Sequence, residues 1–411
     1  MLVGFFLGIC SGLTPGLHTN NFAALMLALS PAFLELGLDP FDIAAAILAA
    51  SVTHTFLDIV PSIFIGAPDA DTALAVLPGH EMMLEGRGIE AVRLSALGSA
   101  SSVLVALVLI VPLSLLFGSF YGPFMDQIGP ILLSIAALMI LTERGRIIEG
   151  QGSFAPLKYK LFALALFLAS GYLGIFALGH QDLASSPLGF EPEVLLPLLG
   201  GLFGASMLIL SLASKAEIPD QRKTEFDLAA QTIARSALLG GLAGSVVAWV
   251  PGVTPAVATV VTRLGSEGSG REFIISVSGV NTANSLFALV ALLVVGRPRS
   301  GAAAAIEELV DLDIAHLLVM VTIVLGISIL SYFATLLAGR AAAKMVRDLD
   351  YRRLCISTLA FLTAMTFGFT GVFGLFIFFI ATTVGLVAPF AGIRKTHAMG
   401  VLMVPLLTYY L

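Results

Sequence analysis

The sequence predicts an all-α polytopic membrane protein. Hydrophobic residues make up 58% of its 411 residues, charged residues make up 12%, and the mean hydropathy is +0.99. Apolar runs long enough to cross a bilayer recur from end to end, which a soluble core does not require. The two cysteines, Cys10 and Cys355, both lie in apolar segments, so we expect neither a disulfide nor a zinc site.

Two breaks rich in glycine and proline interrupt the apolar sequence, and the second resembles the first. At a shift of 236 residues the paired positions are Gly4 with Gly240, Gly8 with Gly244, Pro15 with Pro251 and Gly16 with Gly252. Proline removes a helix donor and glycine accepts positive φ, so Pro-Gly ends a helix. The segment before Pro15 has about 14 residues, roughly 20 Å of helix, against a hydrocarbon core of about 30 Å. Paired breaks predict re-entrant or broken-helix hairpins at a transporter binding site. Two ordinary proline-kinked spans are the alternative.

The paired breaks divide the chain into two predicted repeats. Residues 1–213 form the first predicted repeat, which begins with a hairpin over about 1–36 and continues with spans at about 41–66, 95–118, 124–142, 159–179 and 195–213. Residues 215–227 form the longest polar segment, and we expect residues 214–234 to form a cytoplasmic linker. Residues 235–411 form the second predicted repeat, with a hairpin over about 235–263 and spans at about 273–295, 314–338, 354–369, 371–389 and 397–411.

The basic residues indicate the topology, because Lys and Arg accumulate in cytoplasmic loops. If each hairpin returns to its own side, 19 of the 21 basic residues fall inside, and Arg297 and Arg299 fall outside. One hairpin and five spans make an odd number of crossings, so the second half enters the membrane with opposite orientation. We therefore expect two inverted-topology repeats, each a hairpin plus about five transmembrane helices, with both tips near the midplane. If residues 1–16 were a full span, the inversion would fail.

Both hairpins are predicted to bind the substrate. A half-helix that begins at the midplane points free N–H groups and the positive end of its dipole into the site, which suits an anion. Thr254 and Pro255 are typical of a helix start, with Thr as the cap and Pro at the first position. The predicted substrate-binding residues are Thr14, Pro15, Gly16, His18, Thr19, Asn20, Asn21, Pro251, Gly252 and Thr254. The alternative is that these residues only satisfy the backbone at the breaks.

A second group of polar residues is predicted to couple transport to an ion. His54 and Asp58 are four residues apart on one helix face, and ionisable residues within a membrane usually face a cavity or a partner. Histidine titrates near physiological pH, so the pair could relay protons, with a structural hydrogen-bonded pair as the alternative. Neutral donors at helical spacing, suited to a sodium site, a substrate lining or helix–helix contacts, are Ser278, Asn281, Thr282 and Asn284. We expect no cofactor beyond a coupling proton or sodium ion.

An intramembrane enzyme is less favoured than a transporter, and a structural or scaffold role is less favoured still. The sequence has no His-Glu-x-x-His, no Gly-x-Ser-x-Gly and no Walker lysine motif. His54 and Asp58 could be grouped with Ser51 or Ser62 as a hydrolase, but no nucleophile signature supports that grouping. The expected partners are the lipid bilayer and a small anionic substrate, with no nucleic acid.

Short motifs follow one another in a fixed order along most of the chain. They are Pro15-Gly16-Leu17, Gly66-Ala-Pro68, Thr72-Ala73, Pro78-Gly79, Leu84-Glu-Gly86-Arg-Gly88, Ile89-Glu-Ala-Val-Arg93 and Pro251-Gly252. In this order they resemble the large permease subunit (TctA) family of tripartite tricarboxylate transporters, especially its shorter archaeal members. The resemblance implies an inner-membrane permease built from inverted repeats. Such a permease works with a small membrane subunit and an extracytoplasmic binding protein, and imports carboxylates on an ion gradient.

We therefore expect a secondary active transporter, multi-pass in the cell membrane, for a small organic anion. A di- or tricarboxylate is the expected substrate, and a proton or sodium gradient is the expected driving force. A polyprenyl-phosphate (lipid-phosphate) translocase is the alternative, because paired hairpins that face an anion would serve it equally well. A lateral hydrophobic opening for a lipid tail would favour the lipid carrier, and a closed aqueous cavity would favour the small anion.

Overall fold

A computed structural model describes residues 1–15, 19–67, 69, 71–145, 154–189, 192–213, 218–221, 228–250, 253–264, 269–347 and 349–411. Its α-helices, in chain order, are α1 (Leu2–Leu13), α2 (Thr19–Ala28), α3 (Ser30–Glu35), α4 (Pro40–Leu57), α5 (Ile59–Phe64), α6 (Val76–Leu84), α7 (Gly88–Met125), α8 (Ile128–Leu141), α9 (Ala155–Gly179), α10 (Leu195–Leu199), α11 (Ser206–Ala213), α12 (Ala230–Val247), α13 (Pro255–Leu264), α14 (Gly270–Val295), α15 (Gly301–Leu309), α16 (Ile314–Arg347), α17 (Tyr351–Ala391) and α18 (Gly400–Tyr410). A π-helical turn, Gly200–Ala205, joins α10 to α11. No strand occurs in these residues, and the all-α prediction is confirmed.

Within the described residues, seven helical segments are long and apolar enough to cross a membrane. They are Pro40–Phe64, Gly88–Met125, Pro156–Gly179, Leu195–Ala213, Gly270–Val295, Ile314–Arg347 and Tyr351–Ala391. The chain is therefore a multi-pass membrane protein. The spans predicted at 124–142 and 397–411 contain shorter helices, the 14-residue α8 and the 11-residue α18. At about 1.5 Å per residue, neither helix reaches across a hydrocarbon core of about 30 Å on its own.

The two spans predicted at 354–369 and 371–389 form one element, α17, with a break inside it. The backbone leaves helical geometry at Gly371, where φ is 65° and ψ is −153°. Residues with a side chain rarely adopt this conformation, and glycine does so readily. The predicted boundary between two spans at residue 370 therefore coincides with this break, and α17 comprises two helices that meet at Gly371.

Helices α4 and α14 lie at the centre of the molecule, each buried along most of its length. The first predicted hairpin packs on α4 through α1, and the second packs on α14 through α12. The repeated glycines make these two contacts. A Cβ atom at Gly4 would collide with the carbonyl of Ala46, and one at Gly240 would collide with the carbonyl of Ser276. Small residues of this kind let helix backbones approach closely in a membrane. The inverted relation of the two halves stays a prediction.

Small hydroxyl residues join the central helices α4 and α14 to the long helices α7 and α16. On α7, the Ser95 hydroxyl lies 2.7 Å from the Ser278 hydroxyl of α14. On α16, the Ser331 hydroxyl donates to Thr53 of α4 at 3.1 Å. Hydrogen bonds between helices serve as specific contacts in a bilayer, where apolar packing alone gives little preference over lipid.

The helices divide into two groups that pack mainly within themselves. The inner group comprises α1 to α7 and α12 to α16, arranged around α4 and α14. The outer group comprises α8 to α11, α17 and α18, in which α18 packs on α9 and the π-helical turn packs on α17. Close glycine contacts recur in the outer group, where a Cβ atom at Gly174 would collide with the carbonyl of Val401. The surface between the two groups forms a seam through the molecule.

The close contact between α1 and α4 predicts that a larger side chain in place of glycine there lowers the stability of the protein. A Cβ atom at Gly8 would lie 2.5 Å from Thr53 Cβ and 2.6 Å from the Ala50 carbonyl oxygen. We expect Gly8→Leu to lower the free energy of unfolding by about 1–3 kcal/mol or more, the usual effect of overpacking. Thermal unfolding in detergent measures this loss. Gly326→Leu on α16 is the control, because a Cβ atom there meets nothing within 4 Å. Equal unfolding temperatures for the two variants would contradict the close contact.

Candidate functional site

At the end of the first predicted hairpin, Thr14 and Asn20 hydrogen-bond to the backbone of the protein itself. Pro15 is buried, and the Thr14 hydroxyl donates to the Cys10 carbonyl of its own helix at 2.8 Å. Asn20 Oδ1 accepts the backbone N–H of Gly301, the first residue of α15, at 2.9 Å. Asn20 therefore ties α2 to the start of α15. Thr19 lines a small crevice together with Ser11 of α1.

Several predicted residues lie outside the described part of the chain. They are Gly16, His18, Pro251 and Gly252, together with the side chain of Asn21. Their predicted role in substrate binding therefore stays a prediction.

Within the described part of the second predicted hairpin, three buried polar atoms have no hydrogen-bond partner. Helix α13 begins at Pro255, and the Thr254 carbonyl accepts the N–H groups of Val257 and Ala258. The Thr254 hydroxyl makes no hydrogen bond, and the same holds for the Ser245 hydroxyl and the Trp249 indole N–H. The Trp249 ring is fully buried and stacks on a phenylalanine of α7 at 4.6 Å between ring centroids. Trp249 and Ser245 escaped sequence prediction because nothing in the sequence distinguishes them from packing residues.

Asp58 lies where α4 ends and α5 begins. Pro61 has no N–H to donate to the carbonyl of Leu57, four residues earlier, and the helix is interrupted at this point. The Asp58 carboxylate is buried and accepts a hydrogen bond from the Asn281 side-chain amide of α14 at 2.6 Å. Two residues from the predicted coupling group are therefore in direct contact, although they are 223 positions apart.

His54 lies one turn before Asp58, and its ring contacts residues from two other segments. Its Nδ1 lies 3.0 Å from the Ser11 hydroxyl of α1, and its Nε2 lies 3.5 Å from the carboxylate of Asp69. His54, Asp58 and Asp69 are all buried, and each offers one ligand atom within 4.8 Å of the others. We call these three residues the acidic triad. Asp69 escaped prediction because it lies in the loop after α5, where a carboxylate is usually solvated.

The remaining predicted coupling residues lie along α14. The Thr282 hydroxyl lies 3.1 Å from the Thr55 hydroxyl of α4, and Ser278 contacts α7 as described above. The Asn284 side chain is partly exposed, and the described residues include no hydrogen-bond partner for it. Asn281 and Thr282 thus face α4, whereas Ser278 faces α7.

The arrangement provides two kinds of chemistry. Two carboxylates and an imidazole in a buried position can hold a proton or a cation, and such groups within membranes mark ion pathways. Buried donors without acceptors suit an anion, and one of them, the Thr254 hydroxyl, lies beside the N-terminus of α13. The first hairpin contacts the acidic triad, because the Ser11 hydroxyl of α1 lies 3.0 Å from His54 Nδ1.

Known proteins match this chain over almost its whole length. The model of the family described as "Tripartite tricarboxylate transporter TctA family" matches residues 1–400. An uncharacterised protein of Methanocaldococcus jannaschii is 25% identical over 424 residues, which cover 100% of this chain and 98% of the relative. No solved structure matches the chain. Both matches include the two hairpins, and the resemblance indicated by the short motifs is confirmed.

The contact between Asp58 and Asn281 predicts a specific loss of stability. We expect Asn281→Ala to lower the free energy of unfolding by about 1.5–3 kcal/mol, because a hydrogen bond to a charged group is removed. Thermal unfolding in detergent measures the effect. Asn284→Ala is the matched control on the same helix. A loss in the control as large as in Asn281→Ala would show that the Asp58 contact contributes nothing.

Proposed function

Because the chain belongs to the tripartite tricarboxylate transporter TctA family, we propose that it carries a small organic anion across the cell membrane on an ion gradient. The family is a transporter family, so the chain is a permease component and not an enzyme. A di- or tricarboxylate is the proposed substrate, and a proton or sodium ion is the proposed coupling ion.

The buried donors of the second hairpin are the main support for an anionic substrate. A buried N–H or O–H without an acceptor costs about 1–3 kcal/mol. The donors of Ser245, Trp249 and Thr254 would recover this free energy from a ligand that brings acceptor oxygens. Carboxylates bring two such oxygens each. The positive end of the α13 dipole lies beside Thr254 and favours the same ligand charge.

The acidic triad supports the coupling part of the proposal. A carboxylate in the membrane interior is costly unless a proton, a cation or hydrogen-bond donors compensate it. His54 Nε2, which lies 3.5 Å from the Asp69 carboxylate, offers a site for a proton. The oxygens of Asp58 and Asp69 equally suit a sodium ion, because hard cations take oxygen ligands. Both ions therefore stay candidates.

The proposed partners follow from the family name. In a tripartite system the permease works with a small membrane subunit and an extracytoplasmic binding protein. We propose that this chain has both partners. Co-purification with candidate subunits encoded beside it tests this part of the proposal.

A lipid-phosphate translocase is the second candidate, and one observation favours it. A crevice of about 230 Å³ lies between α8 and the second hairpin, and all its lining side chains are apolar. Val250 and Val253, on either side of the second break, both line it. A lipid tail held there would place its headgroup near the hairpin. Binding of polyprenyl phosphate, with no carboxylate bound, would replace the small-anion proposal by this one.

Uptake into proteoliposomes tests the function. Labelled di- and tricarboxylates are supplied with a proton gradient, with a sodium gradient and with neither, and with the partner proteins added. Accumulation that requires one gradient supports the proposal and identifies the coupling ion. Uptake indifferent to both gradients would contradict coupling.

Substrate binding is expected to depend on Thr254. Thr254→Val removes one hydrogen bond to a charged ligand, about 1.5–3 kcal/mol, which weakens affinity about ten- to a hundredfold. Trp249 is the single tryptophan of the sequence, so its fluorescence during carboxylate titration reports binding near this hairpin. Thr322→Val is the control, because that hydroxyl is exposed and bonded within α16. Wild-type affinity in Thr254→Val would show that the second hairpin takes no part in substrate binding.

Ion coupling is expected to depend on Asp58. Asp58→Asn keeps the shape of the side chain and removes its charge, so exchange of substrate should survive while accumulation against a gradient fails. Paired exchange and uptake assays in proteoliposomes measure both. Asp311→Asn, an exposed position, is the control. Accumulation at the wild-type level in Asp58→Asn would assign this residue a structural role only.

A further inference from the structure

A second cavity lies at the seam between the inner and outer groups, and none of the hairpin donors or acidic-triad residues lines it. Its volume is about 360 Å³. The inner group contributes α6 and the start of α14, and the outer group contributes the π-helical turn, α11 and the segment after α17. The polar or charged residues on its wall are Glu81, Ser206, Arg394, Lys395 and Thr396.

Lys395 places a desolvated ammonium group in this cavity wall. Its Nζ donates to the Phe203 carbonyl at 3.1 Å and to the Ser206 hydroxyl at 2.8 Å. Both partners are neutral, and no carboxylate of the described residues lies within ion-pair distance of Nζ. Burial lowers the pKa of Lys395 to about 7, which shows how poorly its charge is compensated.

The carboxylate of Glu143 in the outer group is bonded to other residues. Glu143 Oε2 accepts from Arg394 Nε at 3.0 Å and lies 2.6 Å from His397 Nε2. Burial raises the pKa of Glu143, but hydrogen bonds from His397, the Gly145 N–H and Arg394 outweigh it and hold this pKa well below its usual range. Glu143 is therefore ionised. It holds the segment that carries Lys395 in place, but it does not neutralise the charge of Lys395.

The other lining residues include one carboxylate, that of Glu81. Glu81 is exposed, so water screens its charge more than that of the half-buried Lys395. Gly270, the first residue of the 26-residue α14, also lines the cavity, and Glu272 in the first turn of that helix forms a capping box with Ser269.

We infer that this cavity is a second anion-binding site, in which Lys395 binds a carboxylate or phosphate group. The ligand would contact both the inner and the outer group across the seam, and would therefore hold the two groups together. The anionic group can come from a soluble metabolite or from a lipid headgroup. This inference is independent of the transport function, because it uses none of the hairpin or acidic-triad residues.

The experiment uses the full chain in nanodiscs of phosphatidylcholine. Fumarate and inorganic phosphate are titrated, and binding is measured by calorimetry and by the rise in unfolding temperature that a ligand of the folded state produces. We expect Lys395→Met to weaken binding at least about tenfold, the loss that follows removal of a charge-assisted hydrogen bond. Lys344→Met is the matched control, an exposed lysine on α16.

A second variant covers the case in which Lys395→Met fails to fold. Thr396→Glu keeps Lys395 and adds a carboxylate to the cavity, so it should abolish binding as well. Anionic phosphatidylglycerol added to the nanodiscs distinguishes the sources. Stabilisation of the wild type but not of Lys395→Met by this lipid, with no response to fumarate or phosphate, would assign the site to a headgroup.

Three outcomes would overturn the inference. The first is an anion affinity that is unchanged in both Lys395→Met and Thr396→Glu. The second is an anion affinity that is lost in Thr254→Val and retained in Lys395→Met, which would assign all binding to the second hairpin. An absence of binding or stabilisation by fumarate, phosphate and phosphatidylglycerol would equally overturn it.

Discussion

A buried carboxylate links the two halves of the chain. Asp58 belongs to α4 in the first half, and the amide that hydrogen-bonds it, Asn281, belongs to α14 in the second. An ionised group in a low-dielectric interior is costly to leave without partners, so the two helices must meet at this point for the fold to be stable. The rest of the inner group follows from that contact. Each hairpin packs on one of these two helices, and α7 and α16 pack on their remaining faces.

The spans could be predicted from sequence because hydrophobicity and length decide them. All seven long apolar segments overlap predicted spans, and Pro255 begins α13 as its sequence indicates. The contacts within the candidate site could not be predicted in this way. His54 and Asp58 were recognised as ionisable residues within a membrane, but their partners Ser11, Asp69 and Asn281 are set by how distant segments pack. Trp249 carries no sequence signal, because its N–H becomes exceptional only when burial leaves it without an acceptor.

The repeated break combines two physical roles that the sequence does not separate. Its glycines Gly4, Gly8, Gly240 and Gly244 serve close helix packing, since a side chain there would collide with α4 or α14. Its hydroxyl Thr254, by contrast, is buried and makes no hydrogen bond. The repeated break therefore contains the glycines that hold the hairpins in place and also a residue that we propose binds a ligand. The two roles are linked, because a hairpin pressed against a central helix keeps its end in a fixed position.

Electrostatics gives a physical reason for coupling if the hairpins hold the anion. If both of its carboxylates are ionised, the acidic triad holds two negative charges in a buried position. An anion bound in the same inner group would be repelled by these charges, and the repulsion is strong where the dielectric constant is low. A proton or sodium ion bound at the triad removes part of this repulsion, so each ion would favour the binding of the other. Ser11 brings the first hairpin into contact with His54, and a change in charge at the triad would therefore reach the hairpin directly. On this view coupling to the first hairpin requires no long pathway, because α1 of that hairpin contacts α4, which carries His54.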